Sequence, residues 1–277
     1  MAEPAGHEHR TRRGPAAVVR RYPLTAYSVL LVALSWPAQL VLPLAVALVG
    51  PSVCAFVVVA VAGGRAGVRE LWGRVLRWRV PGRYYAFAVA GLGAYLLGTV
   101  CAFTALLFPQ QLVPRPVTEL VLTALLNLPV LFVLVGLGEE FGWRGFVQDR
   151  LQHRHGPLAA AVLTGLMWAV WHVPLRIAEN GWSAANLGWT VAGITSAAVV
   201  YAWLFNRTGG SVLLVALLHA GENTWMGSPF ALLFDPGSPD FLFFVHTWNA
   251  FYVVLALLVV VLTRGRLGLP SGAIGER

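Results

Sequence analysis

Residues 22–64 read YPLTAYSVLLVALSWPAQLVLPLAVALVGPSVCAFVVVAVAGG, a stretch without one charged side chain. As a single helix it would run roughly 65 Å, about twice the hydrocarbon thickness of a bilayer, so it has to fold back on itself. Gly50-Pro51 is the natural breaker, which predicts one span over 24–48 and a second over 51–63. The apolar run is too long for the core of a cleaved signal peptide and no A-x-A site follows it, so both spans are expected to be retained.

Working outward, the same pattern repeats. Of 277 residues, 57% are hydrophobic and only 12% charged, where a soluble globular chain carries about 25%. Further apolar runs predict spans over 84–107, 118–151, 158–175, 187–205, 210–226 and 241–262. The expected fold is therefore all-α: a polytopic membrane protein of eight transmembrane helices, with no room for a large soluble domain.

The 20 basic residues are all arginine, set against 12 acidic ones, for a net charge of +8. In a soluble protein that excess would suggest nucleic acid; in a membrane protein it reports topology, because positive charge gathers in cytoplasmic loops. With both termini inside, 17 arginines fall in cytoplasmic segments, Arg144 sits within a span, and only Arg115 and Arg176 fall outside. Between the second and third spans, Arg65, Arg69, Arg74, Arg77, Arg79 and Arg83 interleave with Val68, Leu71, Trp72, Val75 and Leu76. That pattern predicts a cytoplasmic amphipathic helix lying on the inner membrane surface. Residues 1–22 read as a disordered basic cytoplasmic tail, 23–263 as a single transmembrane domain with its motif core at 118–226, and 264–277 as a second cytoplasmic tail. Membrane lipids and a membrane-associated peptide or protein are the expected partners, and nucleic acid is not. Cys54 and Cys101 lie in separate apolar runs and offer neither a disulfide framework nor a thiolate metal site.

Ionisable residues inside spans are costly, so the few present are informative. The fourth span holds Glu139, Glu140 and Arg144, the fifth His172, the seventh His219, Glu222 and Asn223, and the eighth His246. Spans four and five form a hairpin turning around 153–157. At 1.5 Å per residue, Glu139, Glu140 and His172 reach the same depth, about 20–25 Å from the turn. His219 and Asn223, four residues apart, share a helix face at similar depth. Each feature has a plainer reading: Glu140 and Arg144 as a structural i, i+4 pair, His172 as a hydrogen-bonded core histidine, and His219 with Asn223 as interhelical glue. His246, with no partner of its own, is read as structural.

Their joint occurrence suits hydrolysis. A carboxylate with a histidine neighbour can take a proton from water, while a second histidine and an amide donate to an oxyanion. Glu139, His172 and His219 are equally the ligand types of a catalytic zinc site, so zinc is the one cofactor left open. The position of Asn223, one turn beyond His219, favours the metal-free version. A proton- or metal-coupled transporter is the rival reading, weakened by the lack of internal repeats.

The motif Gly138-Glu139-Glu140-Phe141-Gly142-Trp143-Arg144-Gly145-Phe146 resembles the E-E-x-x-x-R signature of the CAAX prenyl protease and bacteriocin-processing (CPBP, or Abi) family of intramembrane proteases. Trp168-Ala169-Val170-Trp171-His172 is similar to its F-x-x-x-H motif, and His219-Ala220-Gly221-Glu222-Asn223 to its H-x-x-x-N motif. The resemblance implies a bacterial inner-membrane endopeptidase, with Glu139 as the catalytic carboxylate and His172 as its partner. It implies that His219 and Asn223 are oxyanion donors or ligands, and that Glu140 and Arg144 are supports. Trp168 replaces the usual Phe and is expected only to narrow the cavity. Glu222 is a carboxylate that the motif does not specify. Some members of the family are tied to bacteriocin immunity, a non-catalytic alternative.

Overall fold

A computed structural model describes residues 14–41 and 49–269. The elements are α1 (Pro15–Arg21), α2 (Pro23–Val41), α3 (Gly50–Gly73), α4 (Gly82–Leu107), α5 (Val117–His155), α6 (Pro157–Asn180), α7 (Ala184–Arg207), α8 (Val212–Met226), α9 (Ser228–Leu233) and α10 (Phe241–Thr263). Among the described residues there is no strand, and seven of these helices are long and apolar enough to cross a membrane. The protein is a polytopic all-α membrane protein.

The expected seventh span is the exception. It is α8, of 15 residues, which reaches roughly 22 Å and is short of a full crossing. It does not need lipid contact, because its buried residues, from Val212 to Thr224, occupy every face. Its neighbours come within backbone distance. A Cβ on Gly136 of α5 would lie 2.5 Å from the Ala216 carbonyl, and one on Gly221 would collide with the Ala88 carbonyl of α4. Glycine at these points lets α8 sit between two long helices as the central post of the bundle.

Turn chemistry sets the remaining limits. Gly156, with φ of 77°, takes the left-handed conformation that joins α5 to α6. Ser183 and Ser211 accept hydrogen bonds from the backbone N–H of Asn186 and Leu214, capping α7 and α8. Helix α5 contains two π segments, Phe132–Leu137 and Trp143–Gln148, on either side of Gly138–Gly142. Such wider turns rotate the side chains that follow them.

Two sequence expectations change. The interfacial helix expected across 65–83 is only partly helical: α3 kinks at Gly64 (φ 59°, ψ −148°) and runs on to Gly73. Beyond it the chain turns and clasps the bundle, since Arg74 O accepts from Val212 N and Arg77 O from the Ser211 hydroxyl. Those bonds to a neighbouring helix replace the ladder of a continuous surface helix. The expected disordered tail is helical over Pro15–Arg21, where Pro15 opens the helix and Arg20 donates from Nε to the Ala62 carbonyl. The rest of that tail, 1–13, lies outside the described residues, as do 42–48 of the first expected span and 270–277 of the second tail. The described start of that tail is packed, for Leu267 is buried and its carbonyl accepts from Asn206 Nδ2.

The close approach of α8 predicts that Gly221→Leu destabilises the protein by about 1–3 kcal/mol or more through overpacking. In detergent this should lower the melting temperature by about 2–4 °C per kcal/mol. Gly98→Ala, where an added Cβ meets nothing within 4 Å, should leave it unchanged.

Candidate active site

The site begins with a buried ion set. Arg144 donates from Nη1 to both oxygens of Glu140, at 2.9 and 3.0 Å, one turn back on α5. His219 of α8 donates from Nδ1 to Glu140 Oε1 at 2.8 Å. Glu140 and Arg144 have no exposed surface, so each charge depends on these partners. The guanidinium lies 4.6 Å from the ring centres of both Trp168 and Tyr201, which accounts for its Nε and Nη2 having no hydrogen-bond acceptor among the described residues.

Glu139 faces a different environment. Its Oε2 accepts from two indoles, Trp143 Nε1 at 3.2 Å and Trp168 Nε1 at 2.8 Å. No hydrogen bond from a described residue reaches its Oε1. Trp168 does more than narrow the cavity, as its replacement of Phe had suggested, because an indole can donate where a phenyl ring cannot. The same residue holds His172 through its carbonyl, 3.0 Å from Nδ1, and packs edge-on against His219 at 5.0 Å. One side chain thus ties α5, α6 and α8 together at a single depth, which matches the register expected from the hairpin.

His172, His219, Glu222 and Asn223 line one cavity of about 140 Å³ between α6, α7, α8 and α10. Asn223 donates from Nδ2 to the carbonyl of His219, 3.0 Å away on its own helix, which leaves its second amide N–H for another acceptor. Glu222 does not serve His219. It turns to Tyr201, whose hydroxyl donates to Glu222 Oε2 at 2.5 Å. His246 stacks on Trp189 at 5.6 Å and lines the cavity away from the charged cluster.

The expected metal set does not close. Among the described residues no three His, Cys, Asp or Glu side chains gather as a metal-holding group. Glu139 Oε2 accepts from the two indoles and His219 Nδ1 donates to Glu140, which orients these side chains while leaving Glu139 Oε1 and His219 Nε2 without a hydrogen bond among the described residues. Trp143 and Trp168 as carboxylate donors escaped the sequence reading. Their spacing, four residues after Glu139 and four before His172, was the available signal. Tyr201 lies in no motif and offered none.

With this geometry in hand, comparison with known proteins is informative. Residues 121–225 match the family described as type II CAAX prenyl endopeptidase Rce1-like. A stretch of 100 residues is 29% identical to the CAAX prenyl protease 2 of Methanococcus maripaludis, covering 33% of this chain and 37% of that protein. The chain therefore spans about a third of the length of the curated relative it matches. The family model covers all the site residues named from the motifs.

Removing the guanidinium should leave Glu140 buried without its main partner. Arg144→Ala is expected to cost about 3–5 kcal/mol and most of the folded yield. The exposed Arg154→Ala should cost almost nothing, and thermal unfolding of both purified variants checks the contrast.

Proposed function

We propose, with the family of residues 121–225 as the premise, that this protein is an intramembrane endopeptidase hydrolysing a peptide bond of a membrane-associated or lipid-modified peptide or protein. The observation that carries the reading is that Trp168 holds the carboxylate of Glu139 with its indole and the imidazole of His172 with its carbonyl. A carbonyl only accepts, so His172 Nδ1 carries the proton and its Nε2 keeps a lone pair. Glu139 Oε1 and His172 Nε2 are then the groups that receive a proton from the attacking water, and the same proton later returns to the leaving amine.

His219 takes the opposite role. With Glu140 as counter-ion to Nδ1, its imidazolium presents Nε2–H, and with the second amide N–H of Asn223 it stabilises the oxyanion on the substrate carbonyl. Glu139 and Glu140 as carboxylates are balanced by Arg144 and His219 as cations, a pairing that a membrane interior requires of buried charge. No step passes through a metal, because among the described residues no three His, Cys, Asp or Glu side chains gather to hold one. A second reading rests on the His219–Glu140 bond alone: a carboxylate at Nδ1 also makes a neutral histidine a base at Nε2.

The arginine-rich end of the bundle is placed in the cytoplasm, with both termini inside, in a bacterial inner membrane. The all-arginine, Ala/Val/Gly-rich composition is of the kind that a GC-rich bacterial genome encodes, which supports the source. The M. maripaludis relative is named as a CAAX prenyl protease; the substrate class proposed here is broader, a peptide bond in a membrane-associated chain.

Glu139→Gln should lower turnover by about 10²–10⁴ while leaving the melting temperature nearly unchanged. Cleavage products are read as peptides that disappear from the membranes of cells carrying this variant in place of the native chain, and substrates as the uncleaved chains that accumulate there. A folded Glu140→Gln protein without activity, beside an active Glu139→Gln, would instead assign the base to His219.

On the metal-free reading, purified protein should contain well under one zinc per chain by elemental analysis. It should also keep its activity after dialysis against a strong chelator. Loss of activity on metal removal, with recovery on adding zinc, would decide for a metalloprotease.

A further inference from the structure

The cavity has a direction. At its floor, His219 and His172 are 3% and 8% exposed. From there the lining climbs two turns of α6, past Arg176 to Asn180, and continues with Asn186 of α7 and Leu242 of α10. Asn180 is the last residue of α6, and Asn186 and Leu242 lie at the starts of α7 and α10. Asn180 is exposed and the other two are half-buried. The cavity therefore opens at the end of the bundle away from the Gly156 hairpin.

Contacts between loops establish which segments share each end. At the hairpin end, Arg74 pairs with Asp149 at 2.8 Å, Arg77 donates to the Gly209 carbonyl, and Gln152 donates to Asn206. At the cavity end, Val113 N donates to the Leu233 carbonyl and Gln111 donates to Asp240. The hairpin end carries Arg74, Arg77, Arg150, Arg154, Arg207 and Arg264. The cavity end carries Arg115 and Arg176, and each lies beside a glutamate three or four residues further along the chain, Glu119 at 4.0 Å and Glu179 at 2.7 Å. Arginine marks the cytoplasmic side, so the mouth of the cavity lies on the other. Apart from Arg176, whose charge is paired with Glu179, the polar lining towards the mouth is uncharged, with Asn180, Asn186, Thr190, His246 and Asn249. Amides, a hydroxyl and an imidazole suit hydrogen bonding to peptide N–H and C=O groups.

We propose that the active-site cavity is entered from the extracytoplasmic face, and that its substrate is an extended, uncharged peptide segment presented at the outer membrane interface. This rests on the protease reading for the word substrate, but the route of entry is testable without turnover. The test uses intact cells expressing the full chain with Cys54 and Cys101 replaced by Ala. Single cysteines are placed at the mouth (Asn186→Cys, or Thr190→Cys if the first is poorly inserted), on the cavity wall (Ala197→Cys) and at the hairpin end (Arg154→Cys).

A bulky, membrane-impermeant maleimide should label Asn186→Cys from outside and Arg154→Cys only after permeabilisation. A small impermeant methanethiosulfonate should reach Ala197→Cys from outside at a rate at least tenfold above that after blocking the mouth cysteine in an Asn186→Cys, Ala197→Cys double variant. Labelling of the mouth or wall positions only from the arginine-rich side would overturn the proposal. Loss of activity in Glu139→Gln is a separate measurement, so failure of the protease reading and failure of the entry route give different results.

Discussion

Everything in this structure is arranged around a charge that cannot be left alone. Glu140 lies at the centre of the bundle, without exposed surface, and its carboxylate is shared by Arg144 from its own helix and His219 from α8. In an interior of low dielectric constant an unpaired carboxylate costs several kcal/mol, so these three groups fix the rotation of α8 against α5. The small residues follow from that requirement. Gly136 and Gly221 let the backbones approach closely enough for a short imidazole to reach across. Helix α8 is consequently buried on every face and spared the length that lipid contact would demand.

Trp168 connects this cluster to the second carboxylate. A phenyl ring at the same position would fill space but leave Glu139 with one indole donor in place of two. The indole also lies against the Arg144 guanidinium and the edge of His219, so packing, cation–π attraction and hydrogen bonding act through one side chain. The two adjacent glutamates thereby acquire different surroundings. Glu140 is balanced by cations, whereas Glu139 is oriented by neutral donors, and this inequality is the physical basis for separate roles.

The ends of the bundle are as unlike as the two glutamates. One end is bound together by arginines reaching carbonyls and carboxylates of neighbouring loops; the other is joined by backbone and amide contacts and by Arg115 donating to the Leu232 carbonyl, and both of its arginines lie beside glutamates close in sequence. The cavity descends from the second end to the histidines, so it opens at the end of the bundle that is poor in arginine.

Much of this was legible in the sequence, because the properties concerned are local or additive along the chain. Uncharged runs longer than a bilayer forced helical spans and a fold-back. A fixed rise per residue across a tight hairpin put Glu139, Glu140 and His172 at one depth, and the three motifs pointed to the same residues. What the sequence could not settle was direction around each helix axis. The π segments Phe132–Leu137 and Trp143–Gln148 flank the motif and break the regular angular spacing on which any helical-wheel argument depends. Only the folded chain decided that His219 turns to Glu140, that Trp168 donates to Glu139, and that Glu222 is claimed by Tyr201. The same is true of α3 bending at Gly64 and of the ordering of Pro15–Arg21, where partners distant in sequence supply the bonds. Depth follows from counting residues, but azimuth and partnership depend on how helices pack, and packing is a property of the whole bundle.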